Sequence, residues 1–260
     1  MSSVRETAFH HDHVLGTSLE LWLTAPDPNR AETAVLAEVE RLRRVFSLHD
    51  PDSELARLNR TTCPTPASAE LRAVLAGYDH IQPRAGGAIN PFVGALIRAW
   101  ADAERDGREP AAGELARLTG EIAGRGWEWT AADAVARTTP HPLDLNAGAK
   151  GFILDRAAAA ARAAGATAGL LNLGGDLIGW GDRPWPVGVQ NPFTPAENAR
   201  PLGAFRLANA SVATSGGYQR GYTVGGVRWS HLIDPRTGRP ADRVASATVV
   251  APDSLTANLL

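Results

Sequence analysis

The sequence predicts an α+β protein in which helices pack on mixed or antiparallel sheets. Two patterns point there: helix-spaced apolar residues dominate up to Ala164, and short apolar runs separated by glycine turns take over from Leu170. A third observation limits the choice, because no internal repeat of roughly 20 to 50 residues is visible. At 260 residues the chain is long enough for one large domain or two small ones. About 70 to 75% of the unfolded surface of such a chain can be buried, so a sizeable core is available.

Residues 14 to 24 (VLGTSLELWLT) alternate in part and predict a strand, followed by a turn at PDPN. Asn29 with Glu32 resembles a capping box, and Leu36, Val39, Leu42 and Phe46 line one face of the helix that follows. Leu71, Val74, Leu75 and Tyr78 mark a second helix. Pro91 to Ala103 form a third, opening directly after the glycine-rich AGGAIN. Strands are expected at 127 to 129 and 134 to 138, then a long alanine-rich helix from about Gly148 to Ala164, with Asp155 and Arg156 within reach of solvent. From Leu170 the segments LLNL, DLIGW, VGVQ, AFRLA, SVATS, VRWSHLI and SATVVA read as strands. The Pro- and Asn-containing stretch 191 to 201 reads as a loop, and SLTANLL as the opening of a helix.

Composition narrows the function. A hydrophobic content of 44%, a charged content of 21% and a net charge of -2 give no global attraction to nucleic acid or anionic membrane, so any anion must be bound locally. Cys63 is the only cysteine, which excludes an intrachain disulfide and a cysteine-based metal site. The N-terminal MSSVRETAFHHDHVLG lacks a basic start followed by an apolar run, and no stretch reaches the roughly 20 apolar residues of a membrane span. A cytoplasmic protein is expected. Of the 26 basic residues, 25 are arginine and Lys150 is the only lysine, which suggests a position where a compact ammonium is required.

Five constellations bear on chemistry. In LDLNAGAKGFILDRA, residues 143 to 157, a short strand is expected to end at Asp144 and Lys150 to fall near a helix start, where backbone N–H groups and the helix dipole favour an anion. On local sequence alone, an ordinary strand-to-helix turn with a solvated lysine is the somewhat better reading. The block is neither GxxxxGK[ST] nor GxGxxG. Paired Gly174 and Gly175 in LLNLGGDLIGWG read in isolation as a structural hairpin, and also permit a close ligand approach. Thr214, Ser215 and Gly216 in SVATSGGYQRGY leave a strand and can present hydroxyls and N–H groups to phosphate oxygens. In WSHLIDPRTGRP, His231 sits on an apolar strand, usually the place of a structural histidine, and DPRTG with Thr237 and Gly238 makes a good plain turn; Asp234 three residues on nevertheless gives an arrangement suited to a general base. His10, His11, Asp12 and His13 are metal-capable, but neighbours on a strand point to opposite faces, and a terminal tail is the expected reading.

The order and spacing of these blocks resemble the ApbE-type FAD:protein FMN transferases. The resemblance runs through VLGT, FSLHDPDSELARLN, GGAINPFVGALIRAW, LDLNAGAKGFILDRA, LLNLGGDLIGWG with WPVGVQNP, SVATSGGY, HLIDPRTGRP and SATVVAP, nearly the whole chain. It implies a bilobal ApbE-like fold with FAD in the cleft, and a Mg²⁺-dependent enzyme that moves FMN from FAD to a threonine or serine of a target flavoprotein and releases AMP. Carried over by position, Asp144 and Lys150 contact FAD, the carbonyl of Ala147 ligates Mg²⁺, the Ala88, Ile89 and Asn90 segment touches the adenosine half, and His49 stands against the flavin.

The sequence departs from that family at three points. Asn90 and Asn258 stand where relatives carry aspartate, the second being a metal ligand, and a further threonine ligand would fall beyond Leu260. Residues 1 to 260 therefore read as a single flavin transferase domain lacking its C-terminal end. FAD pyrophosphatase activity, giving FMN and AMP, and non-catalytic FAD binding are the alternatives.

Overall fold

The computed structural model describes residues 5–194, 199–218 and 220–260. Strands β1 (Arg5–Val14) and β2 (Thr17–Ala25) form a hairpin, followed by helices α1 (Pro28–Phe46) and α2 (Glu54–Leu58) and the short strand β3 (Thr65–Pro66). Helices α3 (Ala69–Ile81), α4 (Gly94–Asp106) and α5 (Ala112–Glu121) precede the hairpin of β4 (Trp127–Ala131) and β5 (Ala134–Arg137). Helix α6 (Asn146–Ala163) leads into β6 (Ala168–Leu173), β7 (Asp176–Trp180), β8 (Trp185–Val189), β9 (Gly203–Leu207) and β10 (Ala210–Gly216). The chain continues through β11 (Gly221–Val224), β12 (Val227–Ser230), β13 (Ile233–Asp234), β14 (Arg239–Pro240), β15 (Ser246–Ala251) and helix α7 (Ser254–Leu259).

The central layer is a six-stranded antiparallel sheet in the order β1-β2-β6-β7-β10-β15. Its pleat sorts the side chains of β2: Leu19, Leu21, Leu23 and Ala25 are fully buried, whereas Glu20, Trp22 and Thr24 between them are only partly covered. The buried leucines join Val35, Val39, Leu42 and Phe46 of α1 and Ile153, Leu154, Ala157, Ala158 and Ala161 of α6 in one core. The opposite face is covered by the two-stranded β8–β9 ribbon, whose Trp185, Val187 and Leu207 pack on Leu170 and Val212.

Several expectations change at the level of local chemistry. Helix α1 is capped by Asp27, which accepts the amide of Arg30 at 3.1 Å, and not by Asn29. Pro28 explains the shift, since its fixed φ and missing N–H suit the first helical position. Glu32 instead bonds His11 at 2.9 Å, and the His10 to His13 stretch belongs to β1, paired with β2, and is not a tail. No strand ends at Asp144. Residues 142 to 145 lie outside any ladder and α6 begins at Asn146, whose amide Asp144 accepts at 3.0 Å.

Asp155 is not free in solvent: it accepts the amides of Ser254 and Leu255 at 2.7 and 3.0 Å and so caps α7 onto α6, while Arg156 is exposed. The two helices meet at Gly151, where an added Cβ would stand 2.3 Å from the Ser254 carbonyl oxygen. The predicted strand VRWSHLI breaks at Ser230, and β11, unpredicted, pairs with β12 and places Tyr222 and Trp229 beside Trp100. Helices α2 and α5 were likewise not signalled by the apolar spacing. Of the loop expected at 191 to 201, residues 195 to 198 lie outside the described residues.

Candidate functional site

Lys150, where the sequence predicts an anion site, lines a cavity of about 820 Å³ formed by the end of α1, the first turns of α6 and the β6–β7 hairpin. Its walls carry His49, Asn146, Lys150, Asp176, Thr214, Ser215, Gly216, Arg220, His231 and Asn258. Lys150 Nζ lies 2.8 Å from the Asp176 carboxylate and donates to the Gly174 carbonyl at 3.3 Å. An ammonium has three N–H donors, so this fixed lysine keeps one for a ligand oxygen. Gly174 is required beside it: φ is +55°, and a Cβ there would meet Thr17 Oγ1 at 2.4 Å. Gly175 completes the two-residue hairpin turn, and its amide is taken by Asn172 Oδ1 at 2.9 Å.

His231 is half-buried just beyond β12, and burial pushes its pKa below 6.5. Its Nδ1 lies 3.1 Å from the carbonyl of Arg220. A carbonyl only accepts, so the proton sits on Nδ1 and the lone pair of Nε2 is left to take a proton. The partner expected from spacing, Asp234, makes no hydrogen bond to this imidazole. Its carboxylate is held by the Arg236 guanidinium at 2.7 and 2.9 Å and by the Arg236 amide at 2.9 Å, and Arg236 holds its pKa below the usual carboxylate range. The reason is local: β12 ends before His231, and Asp234 closes the β13–β14 turn with the arginine two residues on.

Other predicted residues divide between this cavity and elsewhere. His49 is exposed on the cavity wall, Ser215 and Gly216 line it, and Thr214 shares a hydrogen bond with Thr248 at 2.9 Å. Asp144 lies behind the cavity beside α4, where burial raises its pKa against the opposing pull of the Asn146 amide, Arg98 and His49. Asn90 lines a second cavity of about 880 Å³ with Gln82, Gly87, Thr119 and Arg125, but Ala88 and Ile89 do not. The Asn90 amide is already used twice, donating to the Ile122 carbonyl at 2.7 Å and accepting the Phe92 amide at 2.8 Å, and a carboxylate could not make the first bond.

Thr237 and Gly238 face neither cavity. The Gly238 carbonyl accepts Trp100 Nε1 at 2.8 Å, which ties this turn to α4 as scaffold. The segment between them and His231 links the two spaces, since His231 and Leu232 wall the first while Pro235 and Arg236 wall the second.

Spacing alone missed Asp176, Arg220 and His13. Asp176 is the acid directly after the paired glycines and the counter-ion of the only lysine, a signal present in the sequence. The donor set for a divalent cation is meagre. Ala147 is exposed on the first turn of α6 outside the cavity wall, Asn258 gives its Nδ2 to the Ser254 carbonyl at 3.0 Å and keeps Oδ1, and no group of three His, Cys, Asp or Glu gathers among the described residues.

Fold and cavity together define an α+β protein whose pocket sets one ammonium, strand-end hydroxyls and an imidazole around a common space. The chain belongs to the ApbE family, whose sequence model matches residues 15–260. It is 29% identical to the FAD:protein FMN transferase of Haemophilus influenzae, over 82% of this chain and 65% of that protein. Against the enzyme of the same name from Treponema pallidum it is 29% identical over 95% of this chain and 75% of the relative. The crystal structure of the ApbE protein from Thermotoga maritima superposes with a TM-score of 0.87 at 27% identity, covering 98% of this chain and 84% of that one. The apo flavinyl transferase ApbE of Pseudomonas stutzeri shares the fold at TM-score 0.82 and 21% identity, over 98% and 82%. No helix among the described residues is long and apolar enough to cross a membrane.

Proposed function

We propose that this chain transfers the FMN half of FAD to a serine or threonine hydroxyl of a target flavoprotein and releases AMP. The observation that carries the reading is the convergence on one cavity of Lys150, the Thr214 to Gly216 strand end and an imidazole with Nε2 free. Phosphoryl transfer is mostly positioning and electrostatics, which these groups supply. In the proposed pose the pyrophosphate lies at Lys150, the flavin by His49, and the adenosine half extends along the His231 to Arg236 segment toward Asn90. The remaining Lys150 N–H meets a phosphate oxygen while Asp176 and the Gly174 carbonyl hold the side chain straight.

The reaction forms a bond from the acceptor hydroxyl oxygen to the FMN phosphorus and breaks the bridging P–O bond. The hydroxyl proton goes to His231 Nε2, and AMP leaves as its phosphate monoester. The Arg220 carbonyl positions the imidazole and stabilises the imidazolium that forms, the part expected of Asp234. A magnesium ion would be held by Asn258 Oδ1, the one expected ligand on the cavity wall, and chiefly by the pyrophosphate itself, because Mg²⁺ sites ordinarily draw on one or two protein oxygens plus substrate phosphates. When bound it would screen the charge of the pyrophosphate.

The test is to incubate the protein with FAD, Mg²⁺ and a candidate flavoprotein and weigh the products. A mass gain of one FMN on the acceptor supports transfer, and free FMN plus AMP would make the chain a pyrophosphatase. His231→Asn should abolish transfer and spare FAD binding; unchanged turnover would refute its role. The neutral Asn258 favours a second reading, non-catalytic FAD binding, which predicts intact FAD retained on the protein.

A further inference from the structure

A third cavity, of about 960 Å³, opens between the outer face of the six-stranded sheet and the β8–β9 ribbon. It adjoins the reaction pocket directly, because Thr17, Gly174, Thr214 and Gly216 line both. Every position from Arg183 to Gln190 contributes to its wall. Side chains alternate between the two faces of a strand, so a cavity that meets every consecutive position borders the strand's edge. Among the described residues the β8–β9 sheet has two strands, and β9 adds only Phe205 and Arg206 to the wall, so this is the edge of β8 that carries no partner strand among them.

We propose that an extended segment of the acceptor protein docks in this cavity, adds a strand to the free edge of β8, and delivers its hydroxyl past Thr214 to the phosphate beside His231. The inference rests on the transferase reading and names where its protein substrate binds. Strand addition suits that task, since main-chain hydrogen bonds supply affinity and pockets for alternate side chains supply selectivity. Trp22, Leu177 and Phe205 offer such apolar pockets. Pro186 lacks an N–H and interrupts the ladder, which confines pairing to short stretches on either side of it. About five residues of extended chain, roughly 17 Å, match the length of β8.

Charge favours the same occupant. Arg183 is paired with Glu6 and stacked 4.7 Å from the Trp185 ring, whereas exposed Arg206 has no carboxylate partner among the described residues and can receive one from the segment. Tyr218 marks the junction with the reaction pocket, its hydroxyl donating to Gln190 Oε1 at 2.8 Å.

The experiment uses a decapeptide library with a central threonine, incubated with the full chain, FAD and Mg²⁺ and read by mass for FMN adducts. Wild type should modify a subset of peptides. Leu177→Trp, which fills the cavity, and Arg206→Glu should each cut that modification about tenfold or more while leaving the Kd for FAD within about twofold, with Arg206→Lys close to wild type. Unchanged modification in both variants would overturn the proposal. So would a parallel loss of FAD affinity, which would assign the cavity to FAD or another small ligand. If no peptide is modified while a folded acceptor protein is, the extended-segment mode is wrong and the transferase reading stands. If FAD is neither bound nor cleaved, that reading fails and the docking inference falls with it.

Discussion

Replacing Lys150 with methionine separates structural from functional roles of the ammonium, because its two contacts have different consequences. The Asp176 side chain is 7% exposed and that of Lys150 30% exposed. Removing one partner of a buried pair costs about 3 to 5 kcal/mol, and the partial hydration of Lys150 brings the expected loss here to about 2 kcal/mol. The missing charge-assisted hydrogen bond to the pyrophosphate should weaken FAD binding by about 1.5 to 3 kcal/mol, roughly 10- to 150-fold in Kd. Urea unfolding and equilibrium dialysis with FAD measure the two effects separately. The double variant Lys150→Met, Asp176→Asn removes the orphaned carboxylate charge, and so should regain most of the stability without regaining FAD affinity. If the double variant binds FAD like wild type, the ammonium does not touch the pyrophosphate. If Lys150→Met is as stable as wild type, the ion pair contributes nothing in solution.

Because burial lowers the pKa of His231 in the folded protein, the acidic limb of kcat/KM should lie below pH 6.5 and activity should be flat just above it; a limb above pH 6.5 would contradict the buried, neutral base. The sign for stability is the same, since the unfolded chain binds the proton more tightly: this contribution is fully present above 6.5 and is lost as pH falls through the lower folded value. Asn258→Asp should tighten Mg²⁺ or Mn²⁺ binding, measured calorimetrically without nucleotide, by about tenfold, because it adds a charge to a neutral donor set. Gly151→Ala should destabilise by about 2 kcal/mol in urea unfolding: the helix-propensity gain of about 1 kcal/mol is outweighed because the added Cβ meets a backbone oxygen that cannot move aside.

The long helices were legible because packing one face on a sheet enforces a 3.6-residue period, which Val39, Leu42 and Phe46, or Leu71, Val74, Leu75 and Tyr78, display plainly. Helix α2 and the two-residue strands β3, β13 and β14 were not, since elements that short complete no period and exist only through tertiary contact. The sequence reads His13 with its neighbours as tail, yet it lines the Lys150 cavity at φ 59°, where β1 slips register between His11 and Val14. An irregularity of that kind changes which way a side chain points without leaving a pattern in the residues themselves.

The site shows a deeper limit. Lys150 was found by being the only lysine, and Asp176 was findable as its counter-ion, because charge must be balanced by a residue whose identity is written in the sequence. The orienting group of His231 obeys no such rule. Asp234 had the right chemistry and spacing but was claimed by Arg236, a closer partner within its own turn. The vacancy is filled by the backbone carbonyl of Arg220, eleven residues away across the β11–β12 hairpin. Every residue has a carbonyl, so only the fold selects one. It follows that Arg220 can be replaced without losing the bond that fixes the His231 tautomer, whereas a change in the hairpin that moves residue 220 should cost activity while the imidazole itself remains.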